Sequence, residues 1–270
     1  MTSRVGALNG VRLLEAAPEL GSRLTGDQLA QAQRHAILAT VTLDPGHWKL
    51  ERLRDNAAVH GEIRGFLVLS GVLTTEVTIA GRACIRLLTP RELVLTDGAD
   101  ADSVAASWGW AVLETAQIAI LDDRLLVIAQ HWPHLLSALL QRAGQQSQYA
   151  LLQQAISQLP RVEDRLLALL WSIADRRGIV RSDGVWIDLP LTHETIAQMI
   201  GARRPTVTLG LRGLIDQGLL RADKDGWLVD PASLEIISPS VPTAESAGLS
   251  APEQRQTRGL GHFRDHSAEP

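Results

Sequence analysis

The chain has 270 residues, 45% of them apolar, and a formal net charge of −4 at pH 7, so it can bury the cores of two modest domains and any attraction to nucleic acid must be local. No apolar run approaches the roughly 18 residues of a membrane span, and the N-terminus lacks a basic start followed by an apolar stretch; a cytoplasmic protein without membrane contact is expected. Cys84 stands alone, which excludes an internal disulfide and any four-cysteine zinc or iron-sulfur site and leaves a small buried hydrophobe on a strand.

Residues 1–25 read as an irregular arm, followed by a short helix from Asp27 to about His35. From Ile37 the texture turns to β: Ile37–Leu43, Phe66–Leu73, Thr75–Ala80, a Gly81-Arg82 turn, Arg82–Leu88, and a strand pair near Trp110–Leu113 and Ala116–Leu121. Short strands joined by glycine-bearing turns predict a small roll or barrel. Trp108 and Trp110, two residues apart, share one side of a strand; they either fill the interior with indole or line a site for an apolar ligand. A cupin-type metal site needs a His-x-His pair on one strand with a Glu and a further His, whereas His35, His47 and His60 are isolated. With no G-x-S-x-G elbow, P-loop or H-E-x-x-H either, no catalytic residue, metal or cofactor is expected.

Pro133 to Leu159 is a long helical stretch in which Leu135, Leu139, Tyr149, Leu152 and Ile156 fall mostly at spacings of three, four and seven. It is too apolar to stand alone in water, so it forms either a coiled seam with a second copy or a core helix on the roll. Gly144 and its polar neighbours predict a kink, and Pro160 ends the helix. Arg161–Gly178 follows as a helix with Glu163 and Asp164 in its first turn and a stripe of Leu166, Leu170 and Ile173.

The most informative stretch runs from Leu191 to Leu220. Thr192 is an N-cap, Ile196, Ala197 and Ile200 form a stripe, and Gly201 suits the left-handed turn that ends the first helix. Pro205 pre-sets the next helix, which buries Val207, Leu211, Leu214 and Ile215 and turns Pro205, Leu209 and Arg212 outward, with Arg203, Arg204 and Thr206 at its tip. Between Gly201 and Lys224 five basic residues face two acidic ones. The runs 219–222 and 227–229 about a turn at 223–226, with Val185–Leu189 as a third strand, complete a winged helix-turn-helix. Beyond Leu234 the composition predicts a disordered tail.

Leu191, Thr192, Ile196, Ala197, Ile200, Gly201, Arg204, Thr206 and Val207 match L-T-x-x-x-I-A-x-x-[IV]-G-x-x-R-x-T-V, so the chain resembles the cyclic-AMP receptor and fumarate-nitrate reduction (Crp/Fnr) family over about 75 residues. That resemblance implies an α+β chain: a cyclic-nucleotide-binding-like β-roll (1–130), a dimerisation helix (131–160), a winged helix-turn-helix (161–237) and the tail (238–270). It implies a homodimeric, non-enzymatic transcriptional regulator on an inverted-repeat DNA site, with Leu135, Leu139, Tyr149, Leu152 and Ile156 in the dimer seam and RNA polymerase as a further partner. The DNA-contacting set is then Thr192, Arg203, Arg204, Pro205, Thr206, Thr208, Leu209, Arg212 and the wing Lys224. Relatives that hold cyclic nucleotides use F-G-E followed by R-[ST]-A. Here no Arg or Lys lies between Glu92 and Arg124, while Asp97, Asp100 and Asp102 add negative charge, so cyclic AMP is not expected to bind. Three classes stay open: a sensor of an unknown effector with Trp108 and Trp110 in its pocket, a ligand-free regulator, and a cupin-like binding protein or enzyme with an appended DNA-binding domain.

Overall fold

The computed structural model describes residues 9–48, 53, 59–96, 105–189, 191–223 and 225–237. The tail over 238–270, Lys224, and the segment carrying Asp97, Asp100 and Asp102 lie outside them. The chain opens with β1 (Asn9–Arg12), the helical turn α1 (Leu13–Ala16), a 3-10 turn (Pro18–Gly21) and α2 (Gly26–His35). The irregular arm expected before residue 25 is therefore corrected from Asn9 onward: β1 pairs with the next strand, and Leu13, Leu14, Leu20 and Leu24 are buried. These leucines show no period of their own and take their order from the sheet they cover.

That sheet holds β2 (Ile37–Leu43), β3 (Gly46–Trp48), β4 (Gly65–Ile79), β5 (Arg82–Leu88), β6 (Leu93–Leu95) and β7 (Ala106–Leu121). Its order is β1-β2-β7-β4-β5, with β3 on β7 and β6 on β4, and every pairing is antiparallel. Two expectations fail here. Phe66–Leu73 and Thr75–Ala80 are one strand, and the pair at 110–113 and 116–121 is one strand of 16 residues. The cause is a bulge: the β4–β7 register shifts between Val68 and Leu73, and Gly71 sits there with φ +80°. A Cβ at Gly71 would lie 2.3 Å from the Thr115 carbonyl oxygen and 2.5 Å from the Ala116 Cα. Glycine thus marks a bend within a continuous strand.

β7 runs into α3 (Arg124–His131), a helix without a recognised sequence signal. At the junction the Asp122 side chain is fully buried and accepts from the His60 amide at 3.0 Å and from the Arg124 amide at 3.1 Å, with the Arg124 guanidinium beside it. Burial alone would push this carboxyl up; the Arg124 guanidinium and the two amides outweigh it and hold it below the ordinary carboxylate range.

α4 (Pro133–Gln158) continues unbroken through Gly144. Leu135 and Leu139 are buried in a cluster with Leu67, Leu93 and Ala119 of the sheet, and Ile156 is buried in a second cluster with the helices that follow. These three residues of the expected dimer seam are spent on the chain's own cores. Tyr149 and Leu152 stay partly exposed, on another side of the helix from the exposed Leu136, Leu140 and Leu151, and Leu140 is 63% exposed. A helix with leucine on several sides shows its periodicity but not which side its own sheet will claim.

The C-terminal part comprises α5 (Val162–Arg177), β8 (Gly178–Arg181), β9 (Gly184–Ile187), α6 (His193–Met199), α7 (Arg204–Asp216), β10 (Leu220–Asp223), β11 (Gly226–Val229) and α8 (Ala232–Ile237). Its four-stranded sheet, β10-β11-β9-β8, adds β8 to the three expected strands.

Gly71→Ala must both adopt φ +80° and push apart β4 and β7, so it is expected to lower stability by about 2–4 kcal/mol; thermal unfolding of the purified variant checks this.

Candidate nucleic-acid interface

The helix-turn-helix assembles from short-range chemistry first. The Thr192 hydroxyl oxygen accepts from the Thr195 amide at 3.1 Å and caps α6. Ile196, Ala197, Met199 and Ile200 are buried, and Gly201, at φ +66°, turns the chain. Pro205 lies in the first turn of α7, whose Val207, Gly210, Leu211 and Leu214 are buried. Ile215, expected inward, is 40% exposed. At 100° per residue it sits about 90° from the centre of the arc formed by 207, 210, 211 and 214. Gly210 decides where that arc lies: a Cβ there would be 2.9 Å from Leu166 Cδ1 and 3.3 Å from Val162 Cγ1, so α7 and α5 approach at the glycine and roll Ile215 to the rim.

The opposite side of α7 faces outward. Arg203, Arg204, Pro205, Thr206 and Thr208 are exposed, Leu209 is 70% exposed, and the Arg212 side chain is 80% exposed with Asp216 4.0 Å away. Such a solvated pair contributes little. Thr208 differs from expectation: its hydroxyl donates to the Arg204 carbonyl at 3.0 Å, which leaves no proton for a phosphate oxygen. Its oxygen lies 3.0 Å from Nδ1 of His193. His193 links the starts of α6 and α7, and sequence reasoning missed it because a contact between residues 15 apart carries no spacing signal. Arg221 of the wing is paired with Asp183, so it adds less to the local positive charge than its place in the sequence suggests.

The roll and the helix-turn-helix share a core. Val72, Ile85 and Leu87 from β4 and β5 are buried in the same cluster as Leu166, Leu170, Ile196 and Ile200. Arg176 of α5 reaches Glu92 at 3.3 Å, both largely buried, and lies 5.0 Å from the Tyr149 ring centroid. Arg177 lies 3.9 Å from Glu114.

Of the two expected pocket residues, Trp110 packs on Trp48 and Phe66 with ring centroids 5.7 and 5.4 Å away, while Trp108 is 58% exposed. Cys84, expected to be buried, is exposed. Among the described residues no group of three His, Cys, Asp or Glu is placed to hold a metal ion, and no helix is long and apolar enough to cross a membrane.

Residues 164–237 match the family model of the Crp-like helix-turn-helix domain. Over 74 residues the chain is 32% identical to ycf28 of Porphyra purpurea, named as an HTH-type transcriptional regulator, covering 27% of this chain and 31% of that protein. The match thus spans about a third of that relative's length. Similar solved structures include a cyclic nucleotide-binding domain containing protein from Listeria monocytogenes EGD-e, at TM-score 0.57 and 16% identity over 83% of this chain and 99% of that one. A mutant of CooA from Carboxydothermus hydrogenoformans is similar at TM-score 0.54 and 19% identity, covering 70% and 94%. A CRP-family transcriptional regulator from Thermus thermophilus is similar at TM-score 0.54 and 18% identity, covering 73% and 95%. At these identities what is shared with the solved structures is the fold.

The glycine contact in α7 yields a contrast. Gly210→Leu should destabilise the protein by about 1–3 kcal/mol through overpacking against α5, whereas the exposed Leu209→Ala should change stability by less than about 0.5 kcal/mol; denaturant unfolding of both variants compares them.

Proposed function

We propose that this chain, whose residues 164–237 form a Crp-like helix-turn-helix domain, is a transcriptional regulator that binds duplex DNA as a homodimer. The observation that carries this reading is the outward side of α7: Arg203, Arg204, Thr206, Leu209 and Arg212 are exposed while Val207, Gly210, Leu211 and Leu214 hold the helix down from behind. A helix anchored on one side and cationic at its tip can enter a major groove. Arg204 and Arg212 are then the polar readers of base edges, and Arg203 and Thr206, with Thr192 and the wing Lys224, hold phosphates. His193 joins that phosphate set, while the bonded hydroxyl of Thr208 places His193 instead of donating to DNA. Pro205 and Leu209 cannot hydrogen-bond a base edge, so they meet thymine methyl groups.

The exposed Leu136, Leu140 and Leu151 on α4 supply the apolar stripe for a second copy, while Tyr149, whose ring carries Arg176, and Leu152 lie on another side of the helix. In this reading the protein acts by binding and carries out no catalysis. Cyclic AMP is not its effector, because the segment between Glu92 and Arg124 offers no Lys or Arg and adds the negative charges of Asp97, Asp100 and Asp102; calorimetry should detect no micromolar binding.

Selection of binding sites from random duplexes should return an inverted repeat with half-site centres roughly 34 Å apart, distinct from TGTGA and TTGAT half-sites. Arg204→Ala should cost about 1–3 kcal/mol and relax one base position, while Arg203→Ala should weaken all duplexes alike and reduce the salt slope by about one. Purified protein that ignores duplex DNA at low salt would refute the proposal.

A further inference from the structure

An open cleft of about 1900 Å³ lies between the sheet of the roll, α4 and the tip of α7. Its sheet wall is set by register. Thr75 pairs with Arg86 on one side and Trp110 on the other, Val77 with Cys84 and Trp108, and Ile79 with Arg82 and Ala106. Directly paired residues point to the same face, so this face carries a column of indoles on β7 and a column of arginines on β5. One strand separates them, which places the backbones of the two columns about 9–10 Å apart.

The cations of the cleft are available. Among the described residues Arg82, Arg86, Arg203 and Arg204 line it against a single carboxylate, Glu194, and none of the four guanidinium groups has a hydrogen-bond or ion-pair partner within 4 Å among those residues. Glu92, beside Arg86, is already taken up by Arg176 and by the amide and hydroxyl of Thr89. Burial pushes the Arg86 guanidinium below its ordinary value, Glu92 opposing and Arg176 reinforcing that shift, and a further anion would relieve it. Two buried N–H donors of cleft-lining residues, Trp48 Nε1 and Gln146 Nε2, also lack an acceptor among the described residues. Trp108 offers an indole largely open to solvent, a flat apolar face on which a ring can stack.

We infer that this cleft binds an aromatic acid, a flat ring joined through a short flexible spacer to a carboxylate or phosphate, and that such a ligand competes with DNA for Arg203 and Arg204. The ring stacks against Trp108 and Trp110, and the anion meets Arg82 and Arg86. The acid also draws on the two arginines of the α7 tip, which form the far wall. The competition rests on the DNA-binding reading above; the binding site does not.

The test uses the full chain and 1-pyrenebutyrate, whose ring accepts energy from excited tryptophan. Saturable transfer with one site per chain is expected, weakened at least about tenfold by Arg82→Gln combined with Arg86→Gln and likewise by Trp108→Ala. Trp108 and Arg82 are exposed, so an unchanged melting temperature separates lost binding from lost fold. Butyrate, which lacks the ring, and cyclic AMP, whose phosphate is fused to its sugar, should not saturate in the same range. With an arbitrary duplex at low salt, saturating pyrenebutyrate should raise the DNA dissociation constant about tenfold in the parent protein and leave it unchanged in the double variant. No saturable transfer, or transfer indifferent to all these substitutions, overturns the site. Pyrenebutyrate that binds through Arg82 and Arg86 without weakening DNA overturns the competition alone. Loss of DNA binding without any probe would instead count against the regulator reading and leave the transfer experiment able to judge the site.

Discussion

The side chains of β5 alternate between two environments, and much of the molecule depends on that alternation. Ile85 and Leu87 turn to one side and are buried with Leu166, Leu170, Ile196 and Ile200 of the C-terminal helices. Arg82, Cys84 and Arg86 turn to the other and line the cleft with Trp108 and Trp110. One strand therefore docks the helix-turn-helix and also presents the cations that share a cleft with its tip. Polar contacts reinforce the docking: Arg176 is held between Glu92 of the roll and the Tyr149 ring, and both members of the Arg176–Glu92 pair are largely withdrawn from water, where breaking one would leave a costly unpaired charge.

The same close-approach logic operates at two glycines. Gly71 lets β4 bend against β7 without ending, so a single strand serves the roll interior and the hairpin beyond it. Gly210 lets α7 settle on α5, and the resulting rotation fixes which residues face outward. Both act by lacking a Cβ, Gly71 through its backbone angle as well. Between them they position the aromatic column and the arginine tip.

The aspartate-rich segment before β7 bears on the electrostatics differently from the cleft itself. Judged along the chain, the stretch after Glu92 is bare of cations, which argues against a cyclic nucleotide held by that stretch. Folding brings cations from elsewhere, Arg82 and Arg86 from the preceding strand and Arg203 and Arg204 from more than a hundred residues downstream. A charge count along a segment and a charge count around a cavity answer different questions.

Local chemistry sufficed for the helix-turn-helix, because Thr192, Gly201 and Pro205 act on their own backbone neighbours and Val207, Leu211 and Leu214 follow a period that one helix imposes. It also located α5, α4 and most strands. What it could not decide was every choice between faces. Leu135, Leu139 and Ile156 share the spacing of Leu136 and Leu140, yet the roll and the C-terminal helices claim the first three. Ile215 continues the stripe of α7, yet Gly210 rolls it outward. The continuity of β4 and β7 and the exposure of Cys84 depend on bulges and pairings between distant strands. Periodicity is a property of one element and is written in the chain; which partner covers each face is settled only when the elements meet, by the fit of surfaces far apart in sequence.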